Sequence, residues 1–308
     1  MTINTKDGDV VVAALKHAAP YIRMYKRRIF IIKAGGELFL DQVRTQALLE
    51  QMAILHQVGV RLVLVHGAGP QSTQRAREQG LETTMVQGRR VTDAATLEIS
   101  AAVNAQVGQQ ILATCADLDM EAVCMTDADG PVHASKRPPV HVDGEGVVDF
   151  GFVGDITTID AERVQHALDS GKVPVIGPSG AAADGTMLNI NADTVAASLA
   201  AGLGAEKLIL ATGAPGILED IRDLSSLVSY IDLAGLNRMR ENGSLANGML
   251  PKAKAIELAI EGGVPRVHVI SFALPDSLLL EIFTNEGIGT LVVESIEALT
   301  AEEQSAAL

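Results

Sequence analysis

The sequence predicts an α/β protein with a mainly parallel sheet, and three observations lead to this prediction. Short apolar runs alternate with longer helix-like segments along the 308 residues. The chain is 47% hydrophobic but only 3% aromatic, and it contains no Trp. Its core must therefore be built from Val, Ile, Leu and Ala, which suits buried parallel strands covered by helices. The length allows one large domain or two of moderate size.

The predicted elements follow one another in this alternating order. Strands are expected in the short apolar runs at 28–34, 61–67, 121–126, 173–177, 207–212, 267–271 and 289–293. Helices are expected in the longer segments at 41–57, 70–79, 93–118, 160–170, 192–203, 231–241 and 251–262. Because ligands of parallel sheets bind beyond the carboxyl ends of the strands, the residues directly after each strand are the candidates for a site.

Three further segments depart from the alternation. Residues 127–158 contain glycines, prolines and short apolar–polar alternations, and they predict a β-hairpin near the ligand site. The tail from Ala301 onward is expected to fray. Residues 9–27 predict a helix that contains Pro20 or ends at it. Its apolar positions would pack on this subunit or on a neighbour, and they are Val12, Leu15, Ala19, Ile22 and Tyr25.

Composition excludes several classes of function. The formal net charge of −14 argues against a broad nucleic-acid-binding face, so an anionic ligand must be held by a few placed cations and backbone amides. No apolar run reaches the roughly 20 residues of a membrane helix. The N-terminus lacks the charged-then-apolar order of a signal peptide. Cys115 and Cys124 are the only cysteines, and two reduced, buried thiols are expected. These features indicate a cytoplasmic protein.

Two strand ends carry small residues suited to an anion. The first predicted strand ends in the stretch from Lys33 to Gly36, which contains Gly35, and the second ends in the stretch from His66 to Gln71, which contains Gly67 and Gly69. Glycine lets backbone N–H groups approach an anion closely, and a lysine adds a mobile point charge for a phosphate. Neither stretch has the spacing of a Walker A loop or of a G-x-G-x-x-G fingerprint. Ordinary tight turns are the competing interpretation.

Two later segments contain further candidates. The stretch "NINAD" opens a helix with Asn189, Asn191 and Asp193, of which Asn191 or Asp193 could cap the helix. Asp193 could also orient Lys33 and another cation. Lys252 lies just inside the predicted helix that follows Gly248, where the helix dipole disfavours a cation unless an anion is bound there. A solvated lysine is the alternative.

The stretch "QGRRVTD" places two arginines, Arg89 and Arg90, before a capped helix. A guanidinium forms bidentate pairs with carboxylates, so one of the two is a candidate for a substrate carboxylate. A surface ion pair is the competing interpretation.

Together these pieces resemble the acetylglutamate kinases of the amino acid kinase family. The resemblance covers about residues 10–294. It rests on "APYIRMYKRRIFIIKAGGE", "LVLVHGAGPQ", "QGRRVTD", "GFVGDI", "NINADTVAASLAAGLGAEKLIL", "APGIL", "NGMLPKAKAIELA" and "GIGTLVVE", in the family's order. It implies an open αβα sandwich with a mainly parallel sheet of about eight strands and two lobes. An N-terminal helix at 1–27 would precede an amino-acid-binding lobe at 28–204, a nucleotide-binding lobe at 205–296 and a tail at 297–308.

The resemblance also implies an activity and partners. It implies that ATP, with Mg²⁺, phosphorylates the γ-carboxylate of N-acetyl-L-glutamate to an acyl phosphate, a step toward arginine. Mg²⁺ would arrive with the nucleotide, and no tightly bound metal or organic cofactor is expected. The N-terminal helix looks like that of hexameric, arginine-inhibited members, so a homo-oligomer, a dimer or hexamer, and an arginine effector are hypotheses.

Roles carry over residue by residue. By resemblance, Lys33 and Lys252 stabilise the transferring phosphoryl group and Asp193 positions both. Further residues match the substrate side, with Arg90 for the α-carboxylate: Ala68, Gly69, Arg90, Asn189 and Asn191. Others match the phosphate and nucleotide side: Gly35, Gly36, Gly67, Thr212, Gly213, Pro215, Gly216, Gly248 and Met249.

Departures from the family pattern keep alternatives open. Ala68 replaces the middle of three glycines, which is tolerable if its φ is negative. Gly213 replaces an aspartate that usually follows Thr212, and Ser271–Ala273 replaces a frequent Asp-Gly-Arg. Most departures fall on the nucleotide side. One alternative is a kinase for a related N-blocked acidic amino acid, such as N-acetylaminoadipate or a carrier-linked glutamate. Another is a non-catalytic arginine-sensing regulator.

Overall fold

The computed structural model describes residues 5–86, 89–126, 130–142, 144–245, 248–284 and 287–298. Helices in these ranges are α1 (Thr5–Tyr25), α2 (Gln42–Gln57), α3 (Gly69–Glu78), α4 (Ala94–Asp117), α5 (Ala161–Asp169), α6 (Ala192–Gly202), α7 (Leu233–Glu241), α8 (Leu250–Glu261) and α9 (Ser277–Phe283). Strands are β1 (Ile29–Ala34), β2 (Arg61–His66), β3 (Met85–Val86), β4 (Arg89–Arg90), β5 (Ala122–Cys124), β6 (Val132–Lys136), β7 (Val140–Val142), β8 (Gly146–Val148), β9 (Gly154–Ile159), β10 (Val173–Ile176), β11 (Ser179–Ala181), β12 (Met187–Asn189), β13 (Lys207–Thr212), β14 (Tyr230–Asp232), β15 (Arg266–Ser271) and β16 (Thr290–Val293).

One eight-stranded sheet runs through the molecule in the order β14-β16-β15-β13-β1-β2-β10-β5. Neighbouring strands are parallel except β15 and β16, which are antiparallel. All seven predicted strands belong to this sheet, and the prediction of a mainly parallel sheet of about eight strands is confirmed. The eighth strand, β14, has only three residues and was not predicted.

Helices cover both faces of this sheet. Alternate residues of β1 point to opposite layers: Ile31 packs with residues of α5, α6, α7 and α8, and Ile32 packs with residues of α2, α4 and α9. Every residue of β1 is buried, as expected for a central strand with helices on both faces. The predicted αβα sandwich is therefore confirmed, and its loops at the carboxyl edge of the sheet are available for a site.

The segment predicted as a hairpin forms a larger structure in its described part. β6 pairs antiparallel with β9, and the small hairpin β7–β8 lies between them in sequence. β6 and β9 belong to a second sheet, whose strand order is β12-β11-β6-β9. Its strands β11 and β12 were not predicted. Residues 127–129 and 143 of the predicted hairpin lie outside the described residues. The additional strands follow β10 directly, so they connect this second sheet to the carboxyl edge of the main sheet.

The N-terminal helix is continuous through Pro20 rather than ending there. Its C-terminal end packs on the main body, where Tyr25 is buried and Tyr21 contacts Phe283 of α9. Val12 and Leu15, which were predicted to pack, are at least half exposed on this subunit. None of the helices in the described ranges combines the length and the hydropathy needed to cross a bilayer.

Candidate active site

A cavity of about 270 Å³ opens at the carboxyl ends of β1 and β2. It is bordered by the loop after each of these strands, by β3–β4, by the base of the β6–β9 sheet and by the first turns of α6 and α8. The cavity brings together eleven of the predicted site residues: Lys33, Gly35, Gly36, Gly67, Ala68, Gly69, Arg90, Asn189, Asn191, Asp193 and Lys252. Residues widely separated in sequence therefore form one concave site.

Two lysines and one aspartate form the charged centre of this cavity. Lys33 is at the end of the buried strand β1, and its Nζ lies 2.9 Å from Oδ1 of Asp193. Lys252 lies in the first turn of α8, and its Nζ is 3.3 Å from Oδ2 of the same carboxylate. The side chain of Lys252 is only 18% exposed, so the alternative of a solvated lysine is wrong. A single carboxylate thus holds both ammonium groups.

The local folding of α6 explains the position of Asp193. Asn191 is the N-cap, and its Oδ1 accepts hydrogen bonds from the backbone N–H groups of Asp193 and Thr194 at 2.8 and 3.2 Å. Asp193 is therefore free of the capping role and lies in the first turn of α6, where the helix dipole favours a negative charge. Since α6 packs against α8, the same carboxylate reaches Lys252.

Charge pairing determines the ionisation of Asp193. Burial by itself would raise the pKa of this carboxyl, but the ammonium groups of Lys33 and Lys252 hold the pKa below its ordinary value. The carboxylate is thus ionised at neutral pH. It offsets the unfavourable position of the Lys252 cation at a helix N-terminus.

Gly36 and Gly67 let the loops after β1 and β2 pack backbone against backbone. A Cβ on Gly67 would lie 2.9 Å from the Gly36 nitrogen, and a Cβ on Gly36 would lie 3.0 Å from Ala68 Cα. The Nε2 of Gln71 donates a hydrogen bond to the Gly36 carbonyl at 2.7 Å, which ties the two loops together. These glycines are therefore required by the loop packing itself, whatever ligand binds.

Ala68 and Gly69 lie in less restricted positions. Ala68 has a φ of −147°, so its methyl group fits the backbone conformation, as the sequence required. A Cβ on Gly69 would meet nothing within 4 Å. Gly69 begins α3, whose first N–H groups have no partner within the helix and are suited to an anion.

We predict that Gly67→Ala destabilises the protein, because the new methyl group clashes with the Gly36 backbone, which cannot move aside as a flexible side chain would. A loss of about 1–3 kcal/mol in the free energy of unfolding is expected from overpacking of this kind. Thermal or urea unfolding measures it. Gly69→Ala is the matched control and should leave the unfolding free energy nearly unchanged. Equal stability of the two variants would contradict the prediction.

Arg90 is partly buried, and acceptors within the chain already orient its guanidinium. It donates to Thr73 Oγ1 at 2.8 Å, to Thr83 Oγ1 at 3.1 Å and to the Gly69 carbonyl at 3.1 Å. Burial lowers the pKa of Arg90 below its usual range. In the described residues neither Arg89 nor Arg90 has a carboxylate partner, so the surface ion pair expected as an alternative is not formed there. Both arginines line the cavity.

Several cavity residues were not predicted. Arg137 follows β6 and Asp155 belongs to β9, and the guanidinium Nε lies 3.0 Å from Oδ1 of that carboxylate. Glu37 follows the glycines after β1 and also lines the cavity. The interpretation of 127–158 as a segment near the site is consistent with these contacts, but only its strand pairing shows which of its residues face inward. Asn189, which was predicted, donates from Nδ2 to Thr92 Oγ1 at 3.2 Å.

Six of the residues predicted for the phosphate and nucleotide side lie outside the cavity just described, whereas Gly35, Gly36 and Gly67 line it. These six residues end or follow β13 or precede α8, and they are Thr212, Gly213, Pro215, Gly216, Gly248 and Met249. A Cβ on Gly216 would lie 2.6 Å from Thr290 Oγ1, so this glycine is required by packing. A Cβ on Gly213 would lie 3.6 Å from the Phe272 ring. An aromatic ring therefore borders the position where the family usually has an aspartate.

His66 ends β2, directly before the glycine loop. Its ring is fully buried, and neither Nδ1 nor Nε2 has a well-formed hydrogen bond in the described part of the chain. Burial, only partly offset by the Gly67 backbone, lowers the pKa of His66 to about 4. The imidazole is therefore neutral in the folded protein at physiological pH.

We predict that His66 makes the protein less stable as the pH falls from about 6.5 to about 4. In this window the imidazole takes up a proton in the unfolded chain but not in the folded one, so protonation favours unfolding by on the order of 3 kcal/mol. Urea unfolding as a function of pH measures the slope. His66→Leu should flatten it, whereas His133→Leu, at an exposed site on β6, should not. An unchanged slope in His66→Leu would count against this assignment.

The fold and this paired-lysine cavity define an α/β enzyme of the phosphoryl-transferring kind. Residues 28–271 match the model of the amino acid kinase family. The chain therefore belongs to the amino acid kinase family.

Individual relatives support a narrower grouping. The chain is similar to the acetylglutamate kinase of Myxococcus xanthus, with 42% identity over 288 residues that cover 91% of this chain and 94% of the relative. It is also similar to the acetylglutamate kinase of Archaeoglobus fulgidus, with 36% identity over 285 residues that cover 91% and 98% of the two chains. The resemblance predicted from the sequence motifs is confirmed.

Solved structures share the fold. N-acetylglutamate synthase from Neisseria gonorrhoeae, complexed with coenzyme A and N-acetyl-glutamate, superposes with a TM-score of 0.81 at 28% identity. The match covers 92% of this chain but only 63% of the synthase. The carbamate kinase of Giardia superposes with a TM-score of 0.63 at 16% identity and covers 87% of this chain and 99% of the kinase, which speaks for the fold alone.

Proposed function

We propose that this protein uses ATP to phosphorylate the γ-carboxylate of N-acetyl-L-glutamate, in the biosynthesis of arginine. The observation that carries the proposal is the pairing of Lys33 and Lys252 with one buried carboxylate, Asp193, inside a cavity bordered by two glycine loops. The relatives named acetylglutamate kinase, which match over nearly their whole length, support the choice of substrate.

The reaction requires aligned substrates and positive charge near the phosphoryl group, and it does not require covalent catalysis. A substrate carboxylate oxygen attacks the γ-phosphorus of ATP, the new O–P bond forms as the bond to the β-phosphate oxygen breaks, and ADP leaves with that electron pair. The carboxylate is already a nucleophile, so no general base is needed. Phosphoryl transfer depends mainly on alignment and on stabilisation of charge spread over the phosphoryl oxygens. The two lysines supply positive charge there.

The residues around the lysines divide between the two substrates. We assign the amino acid to Ala68, Gly69, Arg90, Asn189 and Asn191, with the guanidinium of Arg90 binding the α-carboxylate. Gly35, Gly36 and Gly67 border the path of the transferred phosphoryl group. Thr212, Gly213, Pro215, Gly216, Gly248 and Met249 would contact the nucleotide. In this division, residues 28–204 form the amino-acid lobe and 205–296 the nucleotide lobe.

Asn191 and Arg90 can take these roles only with the hydrogen-bond donors that the protein itself does not already use. The Oδ1 of Asn191 is occupied by capping α6, so only its amide N–H groups remain for a ligand. On Arg90, both N–H groups of Nη2 and one N–H group of Nη1 already donate within the chain. The Nε–H group and the second N–H group of Nη1 are left for a ligand. Both residues can therefore still donate to a carboxylate or an acyl oxygen.

Magnesium is expected with the nucleotide, where it would neutralise phosphate charge. In the described residues, no three side chains of His, Cys, Asp or Glu are grouped to hold a metal ion. The cavity does contain Glu37, a carboxylate with no ion-pair partner among the residues that the structure describes, and it fits a cation that arrives with the phosphates.

An ATP-dependent hydroxamate assay tests the function directly, because hydroxylamine traps an acyl phosphate. We expect product with N-acetyl-L-glutamate, and little with N-acetylaminoadipate or free glutamate. If the protein prefers the aminoadipate derivative or a carrier-linked glutamate, that compound and not N-acetyl-L-glutamate is its substrate. Lack of product with any of them would favour a non-catalytic arginine-sensing regulator.

The first half of α1 supports a proposal about assembly. Val10, Val11, Val12 and Leu15 are each at least half exposed, which is unfavourable for an isolated subunit. We propose that α1 joins subunits into a homo-oligomer, with a hexamer as the specific hypothesis, and that arginine is an inhibitor. Gel filtration that detects only a monomer or dimer would exclude the hexamer, and unchanged activity in millimolar arginine would exclude inhibition. A cytoplasmic location stays a prediction of the sequence.

A further inference from the structure

Glu37 places a carboxylate in the cavity that the lysine-based chemistry does not use. Its side chain folds back over Gly35, so closely that a Cβ on Gly35 would lie 2.5 Å from both carboxylate oxygens. The same cavity is lined by Lys33, Gly36 and Lys252. Glu37 therefore lies beside the glycines that border the proposed phosphoryl path.

The pairing of the other carboxylates in the cavity makes Glu37 exceptional. Asp193 is paired with Lys33 and Lys252, and Asp155 is paired with Arg137. Within the described ranges Glu37 has no ion-pair partner, and its carboxylate accepts no hydrogen bond. A negative group without a partner thus faces a site that must accept two anions.

This arrangement is unfavourable for a nucleotide by itself. Glu37 is an exposed side chain on the cavity wall, so water and salt screen its charge in part, but a like charge beside the phosphates still repels them. A divalent cation between the carboxylate and the phosphates reverses the sign of that interaction. Mg²⁺ in kinase sites is commonly held by one or two carboxylates together with substrate phosphates and several waters. One carboxylate is thus sufficient when the phosphates supply further oxygens.

We propose that Glu37 is a ligand, direct or through a water, of the Mg²⁺ that accompanies the nucleotide. The inference rests on the proposed function, since it requires a nucleotide in this cavity. It also explains why residue 35 is a glycine, because a side chain there would displace the Glu37 carboxylate from the cavity wall.

The test is a comparison of ADP binding with and without metal. Isothermal titration calorimetry on the full chain would measure the ADP dissociation constant in EDTA and in excess Mg²⁺, for wild type and Glu37→Gln. We expect Glu37→Gln to bind metal-free ADP as tightly as wild type or more tightly, because a like charge is removed. In Mg²⁺ it should bind ADP at least about tenfold more weakly, the scale on which a metal site responds to loss of a partner.

Manganese provides an independent readout. With Mn²⁺ in place of Mg²⁺, electron paramagnetic resonance reports the bound metal in the ternary complex with ADP. We expect a weaker Mn²⁺ affinity in Glu37→Gln and in Glu37→Ala. Glu50→Gln is the matched control, because Glu50 is exposed on α2 and does not line the cavity. It should behave as wild type in both experiments.

The outcomes separate the possibilities. Tighter ADP binding by Glu37→Gln both with and without metal would mean that Glu37 only repels the nucleotide, and it would overturn the proposal. Unchanged binding under both conditions would make Glu37 an exposed bystander and would also overturn it, while leaving the proposed function intact. Wild-type protein that binds no ADP under either condition would overturn the nucleotide-dependent function itself.

Discussion

Lys33→Ala is expected to lower turnover in the hydroxamate assay by a factor on the order of 10²–10³, the usual cost of removing one group that stabilises transition-state charge. The ammonium group lies in the cavity between the glycine loops and Asp193, where the transferred phosphoryl group would pass. The fold should persist, because Asp193 retains Lys252 as a partner. Circular dichroism and thermal unfolding check this second part.

Lys252→Ala should reduce turnover on the same scale, since its ammonium group pairs with the other oxygen of Asp193. Lys254→Ala is the matched control, because Lys254 lies on the exposed side of the same helix. Near-normal turnover in either of the first two variants would remove that lysine from the mechanism. Loss of turnover in the control would instead indicate damage to α8.

Asp193→Asn should impair both stability and activity. The substitution leaves two ammonium groups near each other in a largely buried position without a counter-charge. Loss of one partner from a buried ion pair typically costs about 3–5 kcal/mol of unfolding free energy. The ammonium groups would also lose the carboxylate that positions them, so turnover should fall on a scale comparable to the lysine variants.

A double variant separates the two effects. Asp193→Asn combined with Lys33→Met removes one uncompensated charge, so it should recover a large part of the lost stability. It should not recover turnover, because Lys33 is absent. Urea unfolding and the hydroxamate assay measure the two quantities on the same protein. If the double variant were no more stable than Asp193→Asn alone, charge repulsion would not be the cause of the destabilisation.

Short elements show why sequence patterns predicted only part of the fold. The strands of the main sheet with long apolar runs and the longer helices were predicted nearly to their ends. β14 and α9 were missed, and they contain three and seven residues. Segments of this length have no measurable periodicity and are stabilised mainly by tertiary partners. β14 pairs with β16, and the first backbone N–H groups of α9, those of Leu278 and Leu279, donate to Oε1 of Gln51 in α2.

The sequence likewise predicted only some of the residues of the candidate site. The lysines, the glycine loops and the family motifs are visible in the sequence, because they follow apolar strands or open helices. Glu37 and Arg137 gave no signal, since a charged residue in a loop is usually solvated. Whether these two residues belong to the site depends on which loops meet at the edge of the sheet. The role of Asn191 as the helix cap, rather than Asp193, likewise depends on backbone geometry that composition does not specify.

By itself, the sequence determined the α/β class, the mainly parallel sheet and the membership of the amino acid kinase family. Local patterns suffice for these, because apolar periodicity and motif order are properties of short segments. Only the tertiary structure decided that one carboxylate, Asp193, lies between Lys33 and Lys252. Asp193 and Lys252 are 59 residues apart in the chain. Their contact depends on the packing of α6 against α8 on one face of the main sheet. That packing follows from the strand order and from burial of both helix faces, and not from any local preference.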